Sequence, residues 1–294
     1  MLLDATVVRV APVAGIAIHH ELTDGIELDR SIVPEWRGSA ETFPPLMIRH
    51  EVGDARPIGM TQVLDIPPWC TFHVDEHGEP ASLFHGVFGE VDRLLSCEEP
   101  GTRYIVRYAS QPPTAVVPLQ SELAAFSFAL AARSLGLIAH ACAFLAPNGQ
   151  GVLCPGVSGT GKTTLARLLV EHEPRARILT DDRAVVTLRD GEPIVWGSPW
   201  PGAAQIAESM EAPLAAVLFI RHGASCAART VHPREAFRRI VNTLSIPLWE
   251  PARCAGALEV IDAIVSRARL VEVAYPLTAS AATWLLDIAR GGPQ

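Results

Sequence analysis

The stretch Gly156-Val-Ser-Gly-Thr-Gly-Lys-Thr-Thr164 decides how this chain is interpreted, and it holds the only lysine among 294 residues. The remaining basic residues, out of 24, are all arginines. An arginine side chain ends in a planar fork, whereas a lysine is a compact charge on a flexible stem that can curl over a phosphate. A lysine kept at this one position therefore indicates chemistry rather than general surface charge.

The segment from Gly156 to Thr163 matches the pattern GxxxxGK[ST], in which successive backbone N–H groups form a cradle for phosphate oxygens. The cradle lies at the positive end of the following helix. The pattern needs a strand before it and a helix after it, which "GVLCP" and "TLARLLVEH" supply. A glycine-rich turn without a ligand is the bland alternative. The predicted nucleotide-binding residues are Gly156, Val157, Ser158, Gly159, Thr160, Gly161, Lys162, Thr163 and Thr164.

Lys162 and Thr163 have separate predicted roles in binding ATP and Mg²⁺. In loops of this pattern the lysine reaches the β- and γ-phosphates, and the hydroxyl after it binds the metal. We therefore expect ATP and Mg²⁺ as the ligands of the loop.

Two adjacent aspartates, Asp181 and Asp182, follow in "ILTDD". A five-residue strand and an eleven-residue helix both span roughly 16 Å, so a neighbouring parallel strand from Arg177 would return its carboxyl end to the loop. One carboxylate could then hold Mg²⁺ while the other accepts a proton from a hydroxyl. Adjacent side chains of an extended chain point to opposite sides, so the two cannot easily share one role. The alternative is that the pair only ends a strand in a turn.

His140 lies in the apolar stretch "LIAHACAFL", which Asn148-Gly149 joins to the strand before the loop. Asn-Gly is the strongest short-range hairpin signal. A lone histidine in an apolar strand is normally a core residue. Because the hairpin partner of this strand leads directly into the loop, we expect His140 to support the site.

The pattern of apolar runs and turn residues divides the chain into two parts. Residues 1–118 are predicted to be a β-rich region, and residues 119–294 an α/β domain. The first is punctuated by Pro, Gly and Asp, and we expect it to recognise substrate. The second opens with a buried helix, "SELAAFSFALAARSLG", with Ser121 as its predicted cap and Gly136 as its end. A second hairpin turns on Asp190-Gly191. The predicted fold is α/β, with a mixed sheet and hairpins.

Composition narrows the classes of partner. Acidic residues number 32 and the net charge is −8, which argues against nucleic acid. Arg234 and Arg238, four apart, predict a solvated helix face. Six cysteines without metal-ligand spacing predict buried or free thiols. Without a visible secretory signal or membrane span we expect a cytoplasmic protein with no membrane partner, and homo-oligomerisation stays open.

Several nucleotide-binding classes are excluded by motif. A guanine-reading NKxD motif needs a second lysine, and the LSGGQ motif of ABC ATPases does not occur. The only Asp-Glu dipeptide, Asp75-Glu76, precedes the glycine loop, whereas AAA and RecA motors carry theirs after it. Protein-kinase catalytic motifs do not occur either.

The segment "LIAHACAFLAPNGQGVLCPGVSGTGKTTLARLL", followed by "ARILTDDRAVV", resembles the core of the HPr kinase/phosphorylase family, a branch of the phosphoenolpyruvate-carboxykinase-like P-loop fold. The resemblance covers about residues 120–285. It implies that Lys162 grips the phosphates and that Thr163 and one aspartate bind Mg²⁺. It also implies that Asp181 accepts the proton of a substrate serine with support from His140, which leaves Asp182 for the metal.

The chain also departs from that family. The glutamate-arginine-glycine signature after the aspartate pair does not occur, and only Glu208 or Glu211 could supply a second metal ligand. Thr164 stands where the family often has Glu, and the N-terminal region differs. The layout is more similar to stand-alone HPr-kinase-like proteins, some of which phosphorylate precursor peptides.

The leading interpretation is thus an ATP-dependent kinase acting on a serine of a protein or peptide. Two alternatives remain. One is a small-molecule kinase that uses Arg221, His222 and Arg253 as anion binders. The other is a regulatory nucleotide-binding protein that has lost catalysis.

Overall fold

The structure is a computed structural model that describes residues 6–29, 36–38, 40–86, 91–245 and 251–292. The chain divides into two compact units. The first comprises Met1–Pro34, Ser39–Ser134 and Pro247–Cys254, and the second comprises Glu35–Gly38, Leu135–Ile246 and Ala255–Gln294. Across the described residues there are two mixed sheets and five helices, which confirms the α/β class.

The first unit contains an eight-stranded sheet, in the order β1-β2-β3-β8-β7-β6-β5-β4. Strand β3 pairs in parallel with β2 and β8, and the other pairs are antiparallel. Its eight strands lie between Thr6 and Tyr108. The strands are β1 Thr6–Val13, β2 Ile16–Leu22, β3 Phe43–Val52, β4 Thr61–Ile66, β5 Cys70–Val74, β6 Pro80–Phe84, β7 Arg93–Glu99 and β8 Arg103–Tyr108.

Helix α1, Leu119–Ala132, differs at both ends from the sequence prediction. The N-cap is Pro118, and Ser121 lies buried in the first turn, where its hydroxyl donates to the Pro118 carbonyl at 3.0 Å. The prediction that Ser121 caps the helix was therefore wrong. The helix ends before Ser134, which takes a left-handed φ of 51°, so Gly136 is free to begin the next strand.

Helix α1 belongs to the first unit, although the sequence prediction placed a domain start at residue 119. A buried chain of side chains ties it there. Glu122 Oε2 lies 2.8 Å from His20 Nε2, His20 Nδ1 lies 2.9 Å from His50 Nε2, and His50 Nδ1 lies 2.9 Å from the Tyr108 hydroxyl. All four residues have 0% exposure.

We predict that the buried row of linked side chains from Glu122 to Tyr108 makes the first unit less stable at low pH. Burial, together with the nearby charges of His20 and Arg93, lowers the pKa of His50 well below its ordinary 6.5. The unfolded chain therefore takes up a proton below about pH 6.5 that the folded chain refuses, so stability falls as the pH drops. Urea unfolding followed by circular dichroism should show a loss of up to roughly 1.4 kcal/mol per pH unit for this proton.

The matched pair for that measurement is His50→Gln and His77→Gln. His77 is exposed, so its replacement should leave the pH slope unchanged, whereas His50→Gln should flatten it. Equal slopes in the two variants would contradict the assignment.

The second unit contains a sheet in the order β10-β9-β12-β13-β14-β16-β15, in which β11 also pairs with β9 and β10 also pairs with β14. Its strands are β9 Gly136–Leu145, β10 Gly151–Pro155, β11 Arg177–Thr180, β12 Arg183–Arg189, β13 Glu192–Trp196, β14 Glu211–His222, β15 Ala227–Thr230 and β16 Arg269–Tyr275. The remaining helices are α2 Lys162–His172, α3 Pro233–Val241, α4 Pro251–Arg267 and α5 Ala279–Arg290.

Both predicted hairpins are confirmed. Strands β9 and β10 pair antiparallel on either side of Asn148-Gly149, and β12 and β13 pair antiparallel around Asp190-Gly191. The second turn has positive φ at both central residues, 52° and 78°, as a tight turn between twisted strands requires.

Strand β11 is not the direct neighbour of β10 that the sequence predicted. It pairs antiparallel with β9, which itself pairs antiparallel with β10, so β9 lies between them. Two reversals of direction leave β10 and β11 running the same way. The carboxyl ends of β10 and β11 therefore reach the same edge of the sheet. The predicted return of the aspartates to the glycine loop depends only on this shared edge.

The predicted solvated helix face and the absence of paired cysteines both agree with the structure. Arg234 and Arg238 are exposed on α3, and none of the six cysteines, which all lie within the described ranges, forms a disulfide. Cys142 and Cys154 are fully buried between sheet and helices. None of the described helices is long and apolar enough to cross a membrane.

Candidate functional site

The glycine loop, Gly156–Gly161, connects β10 to α2 and has the strand-loop-helix arrangement that the motif requires. Gly159 and Gly161 take left-handed φ angles of 84° and 97°, and Gly161 is the N-cap of α2. Within the loop the Thr160 hydroxyl donates to the Val157 carbonyl at 2.8 Å. A Cβ at Gly156 would lie only 2.4 Å from that hydroxyl oxygen, so the tight path needs glycine there.

Lys162 begins α2 and is only 5% exposed. Its ammonium group donates to the carbonyls of Gly156 at 2.7 Å and Val157 at 3.0 Å. An ammonium group has three donors, so one remains for a ligand. Burial lowers the pKa of Lys162, with a smaller opposing effect from the Asp182 carboxylate.

His140 is joined to the loop through the backbone and to an aspartate through its side chain. Its carbonyl accepts from the Gly156 N–H at 3.1 Å, and its own N–H donates to Thr243. Its Nε2 lies 2.8 Å from Asp182 Oδ1. The expected association of His140 with the loop is therefore present, and its partner is the second aspartate.

Asp182 lies between the imidazole ring of His140 and the guanidinium of Arg183, whose NH1 is 3.1 Å from Asp182 Oδ2. Burial alone would raise the pKa of Asp182, but the hydrogen bond from His140 and the charges of Arg183, His140 and Lys162 together lower it. Its side chain is 27% exposed, so a ligand can reach it.

Asp181 has a different environment from Asp182. It is fully buried, and its carboxylate accepts from the backbone N–H groups of Gly202 and Ala204 at 2.8 Å each and of Ile206 at 3.4 Å. A buried carboxylate is stable only when such donors surround it. In this arrangement the Asp181 carboxylate holds the segment 202–206 through its backbone N–H groups.

His222, at the end of β14, lies on the other side of the loop from His140. Strand β14 runs parallel to β10, and the His222 ring lies 3.3 Å from where a Cβ of Gly161 would be. The other two predicted anion binders, Arg221 and Arg253, form ion pairs instead. Arg221 forms an ion pair with Glu272 at 3.5 Å, and Arg253 forms one with Glu79 in the first unit.

Neither predicted second metal ligand is directed to the loop. Glu208 forms an ion pair with Arg177 at the start of β11, and Glu211 pairs with Arg189 at the far end of β12. Within the described ranges no three His, Cys, Asp or Glu side chains form a cluster that could hold a metal ion. Thr163, in the first turn of α2, is half-buried beside the loop.

Comparison with known proteins adds little to this geometry. No family model matches the chain, and no curated protein matches it. Among solved structures the HPr(Ser) kinase/phosphatase from Coxiella burnetii is a structural neighbour, with 12% sequence identity, covering 52% of this chain and 93% of that chain, at a TM-score of 0.30. A TM-score this low does not define a shared fold.

We predict that Gly156→Ala destabilises the loop, because the added methyl group collides with Thr160. Overpacking of this kind costs about 1 to 3 kcal/mol. In a double-mutant cycle Thr160→Gly should recover much of that loss, since it removes the side chain that the methyl group meets. Urea unfolding of the four proteins measures the coupling. If the losses in unfolding free energy were strictly additive, Gly156 and Thr160 would not be energetically coupled.

Proposed function

We propose that this protein is an ATP- and Mg²⁺-dependent kinase that transfers the γ-phosphate to a hydroxyl group, most simply a serine of a protein or peptide. One observation carries the proposal. The hydrogen bond from the Gly156 N–H to the His140 carbonyl joins a glycine loop with a buried lysine to a histidine–aspartate pair. Phosphoryl transfer needs little more than held phosphates, neutralised charge and an acceptor for one proton.

The chain's residues divide this work. Backbone N–H groups of the glycine loop and the third ammonium proton of Lys162 hold the phosphates. The acceptor's hydroxyl oxygen forms a bond to the γ-phosphorus as the bond from phosphorus to the β–γ bridging oxygen breaks, and ADP leaves. The hydroxyl proton passes to the His140–Asp182 pair, which is coupled closely enough to act as one unit.

This assignment moves the proton-acceptor role predicted for Asp181 to Asp182 and gives Asp181 a structural role instead. Asp181 has both carboxylate oxygens bound to backbone N–H groups and is fully buried, so it is suited to fixing the segment 202–206. Asp182 is partly exposed and already bonded to a base. Both residues lie in the bend between β11 and β12, where one side chain is buried and the other is partly exposed.

Thr163 is the protein ligand that we propose for Mg²⁺. The glycines leave the cradle open for phosphates, and a hydroxyl in the first turn of the helix is the usual partner of a phosphate-bound Mg²⁺. When bound, Mg²⁺ would neutralise phosphate charge. Both oxygens of Asp182 are taken by His140 and Arg183, so direct metal binding by Asp182 would require one of those contacts to be exchanged.

A small-molecule acceptor is the second candidate, and His222 favours it. This side chain lies against Gly161 at the same edge as the loop, where it could bind an anionic group of a compact substrate. Incubation of the protein with labelled ATP and either candidate peptides or free hydroxyl-bearing metabolites separates the two.

We predict that Lys162→Ala weakens Mg·ATP binding by about 2 to 3 kcal/mol, because a charge-assisted contact is lost and the remaining donors are backbone groups. Titration calorimetry on the folded variant measures this. Lys162→Arg should also be impaired, since a planar fork replaces the compact ammonium group. Arg177→Gln, which changes a charged residue at the other end of β11, is the control. Unchanged Mg·ATP affinity in Lys162→Ala would show that the glycine loop does not bind the nucleotide as proposed.

Asp182→Asn and His140→Ala should retain Mg·ATP affinity but lose phosphoryl transfer, by about a hundredfold for Asp182→Asn, the scale of removing a general base. Asp181→Asn should instead lower thermal stability, because an amide nitrogen replaces an oxygen that accepts backbone N–H groups. Binding, turnover and melting measured separately distinguish these effects. If Asp182→Asn raised the Mg²⁺ requirement and Asp181→Asn alone abolished transfer, the roles would be those implied by the family resemblance.

A further inference from the structure

Arg183 is a cationic side chain that forms an ion pair with Asp182, the aspartate bonded to His140. It is the first residue of β12 and stands directly opposite His140 of β9 in the antiparallel register. Directly opposite residues on paired antiparallel strands project to the same face of the sheet. The guanidinium therefore shares a face with the His140–Asp182 pair, and its NH1 contacts both the carboxylate and the carbonyl of Asp182, at 3.1 and 3.3 Å.

The contacts of Arg183 leave part of its hydrogen-bonding capacity unused. Its Nε is buried and has no hydrogen-bond partner among the described residues. A buried donor without an acceptor costs free energy, whereas a guanidinium has five donors in a fixed fork. Its charge also contributes to the lowered pKa of Lys162, after burial and against the opposing charge of Asp182. An anion placed beside Arg183 would give this unpartnered donor an acceptor.

We propose that Arg183 donates to the γ-phosphate as it is transferred, so that the chain supplies its own arginine to neutralise the charge of the transition state. This rests on the proposed kinase function. A planar fork matches the oxygens of a phosphoryl group in a bidentate manner, which a lysine cannot do. Charge in this reaction is spread over the three equatorial oxygens of the transferring group, and an arginine placed there acts mainly in the transition state.

A purely structural role for Arg183 makes a different prediction. If the guanidinium only neutralises Asp182, any cation of similar length would serve, and the effect of its loss would not depend on the geometry of the phosphoryl group. If Arg183 contacts the phosphoryl group, its loss should weaken binding most when that group is planar, as it is midway through transfer.

The test uses the full chain and binding rather than turnover, so no acceptor is needed. Calorimetry measures the affinity for Mg·ADP alone and for Mg·ADP with aluminium fluoride, which mimics the planar phosphoryl group. The variants are Arg183→Gln and Arg183→Lys, with Arg189→Gln as the matched control. Arg189 is the last residue of the same strand and forms an ion pair with Glu211 at 2.8 Å, away from the loop.

We expect aluminium fluoride to tighten Mg·ADP binding in the wild-type protein and in Arg189→Gln. Arg183→Gln should bind Mg·ADP within about twofold of wild type but lose the gain from aluminium fluoride by ~10-fold or more, and Arg183→Lys should recover only part of it. A full gain in Arg183→Gln, or full recovery by Arg183→Lys, would overturn the proposal for Arg183 while leaving the kinase intact. No binding of Mg·ADP or Mg·ATP by the wild-type protein would overturn both.

Discussion

Strand β9 is the constraint on which the site depends, because it must satisfy pairing partners on both of its edges. On one edge it pairs with β10, which leads into the glycine loop, and on the other it pairs with β11 and β12, which carry the aspartates between them. His140 stands where these partners meet. Its carbonyl fixes Gly156, its N–H binds Thr243, and its side chain binds Asp182. The distance between loop and carboxylate is thus set by backbone hydrogen bonds, the least adjustable contacts in a protein.

The two aspartates lie side by side in the bend between β11 and β12, yet their surroundings differ. The Asp181 carboxylate is fully buried, whereas the Asp182 side chain is 27% exposed beside His140 and Arg183. The inner one, Asp181, is stable only because the segment 202–206 offers three backbone N–H groups. Gly202 is required for this approach, since a Cβ there would lie 2.8 Å from Asp181 Oδ2. The inner carboxylate therefore organises a neighbouring segment, and the outer one stays partly exposed beside His140 and Arg183.

Much of this arrangement is predictable from sequence because its signals are local. Asn148-Gly149 and Asp190-Gly191 specify hairpins through the φ angles that they permit, and the glycine loop specifies a strand, a turn and a helix together. The errors concern choices that depend on tertiary contacts. Ser121 has the composition of a cap but is drawn into a buried first turn after Pro118. The partner of His140 could not be chosen between two adjacent aspartates, because the choice depends on which face the segment 202–206 covers. Arg183 gave no sequence signal, since its place follows from the register of β12 against β9.

The single lysine can now be understood from the contacts that it makes. Its ammonium group donates to two successive carbonyls, those of Gly156 and Val157, and a tetrahedral group that does so still directs a third donor away from them. A guanidinium presents its donors in one plane at the end of a longer side chain, so it could not meet both carbonyls and also point a donor out of their plane. Burial at 5% exposure disfavours the charge, and the two carbonyl oxygens offset that cost. Arginine serves where a fork is useful, as at Arg183, and lysine is kept at the one position where the loop itself must hold a point charge.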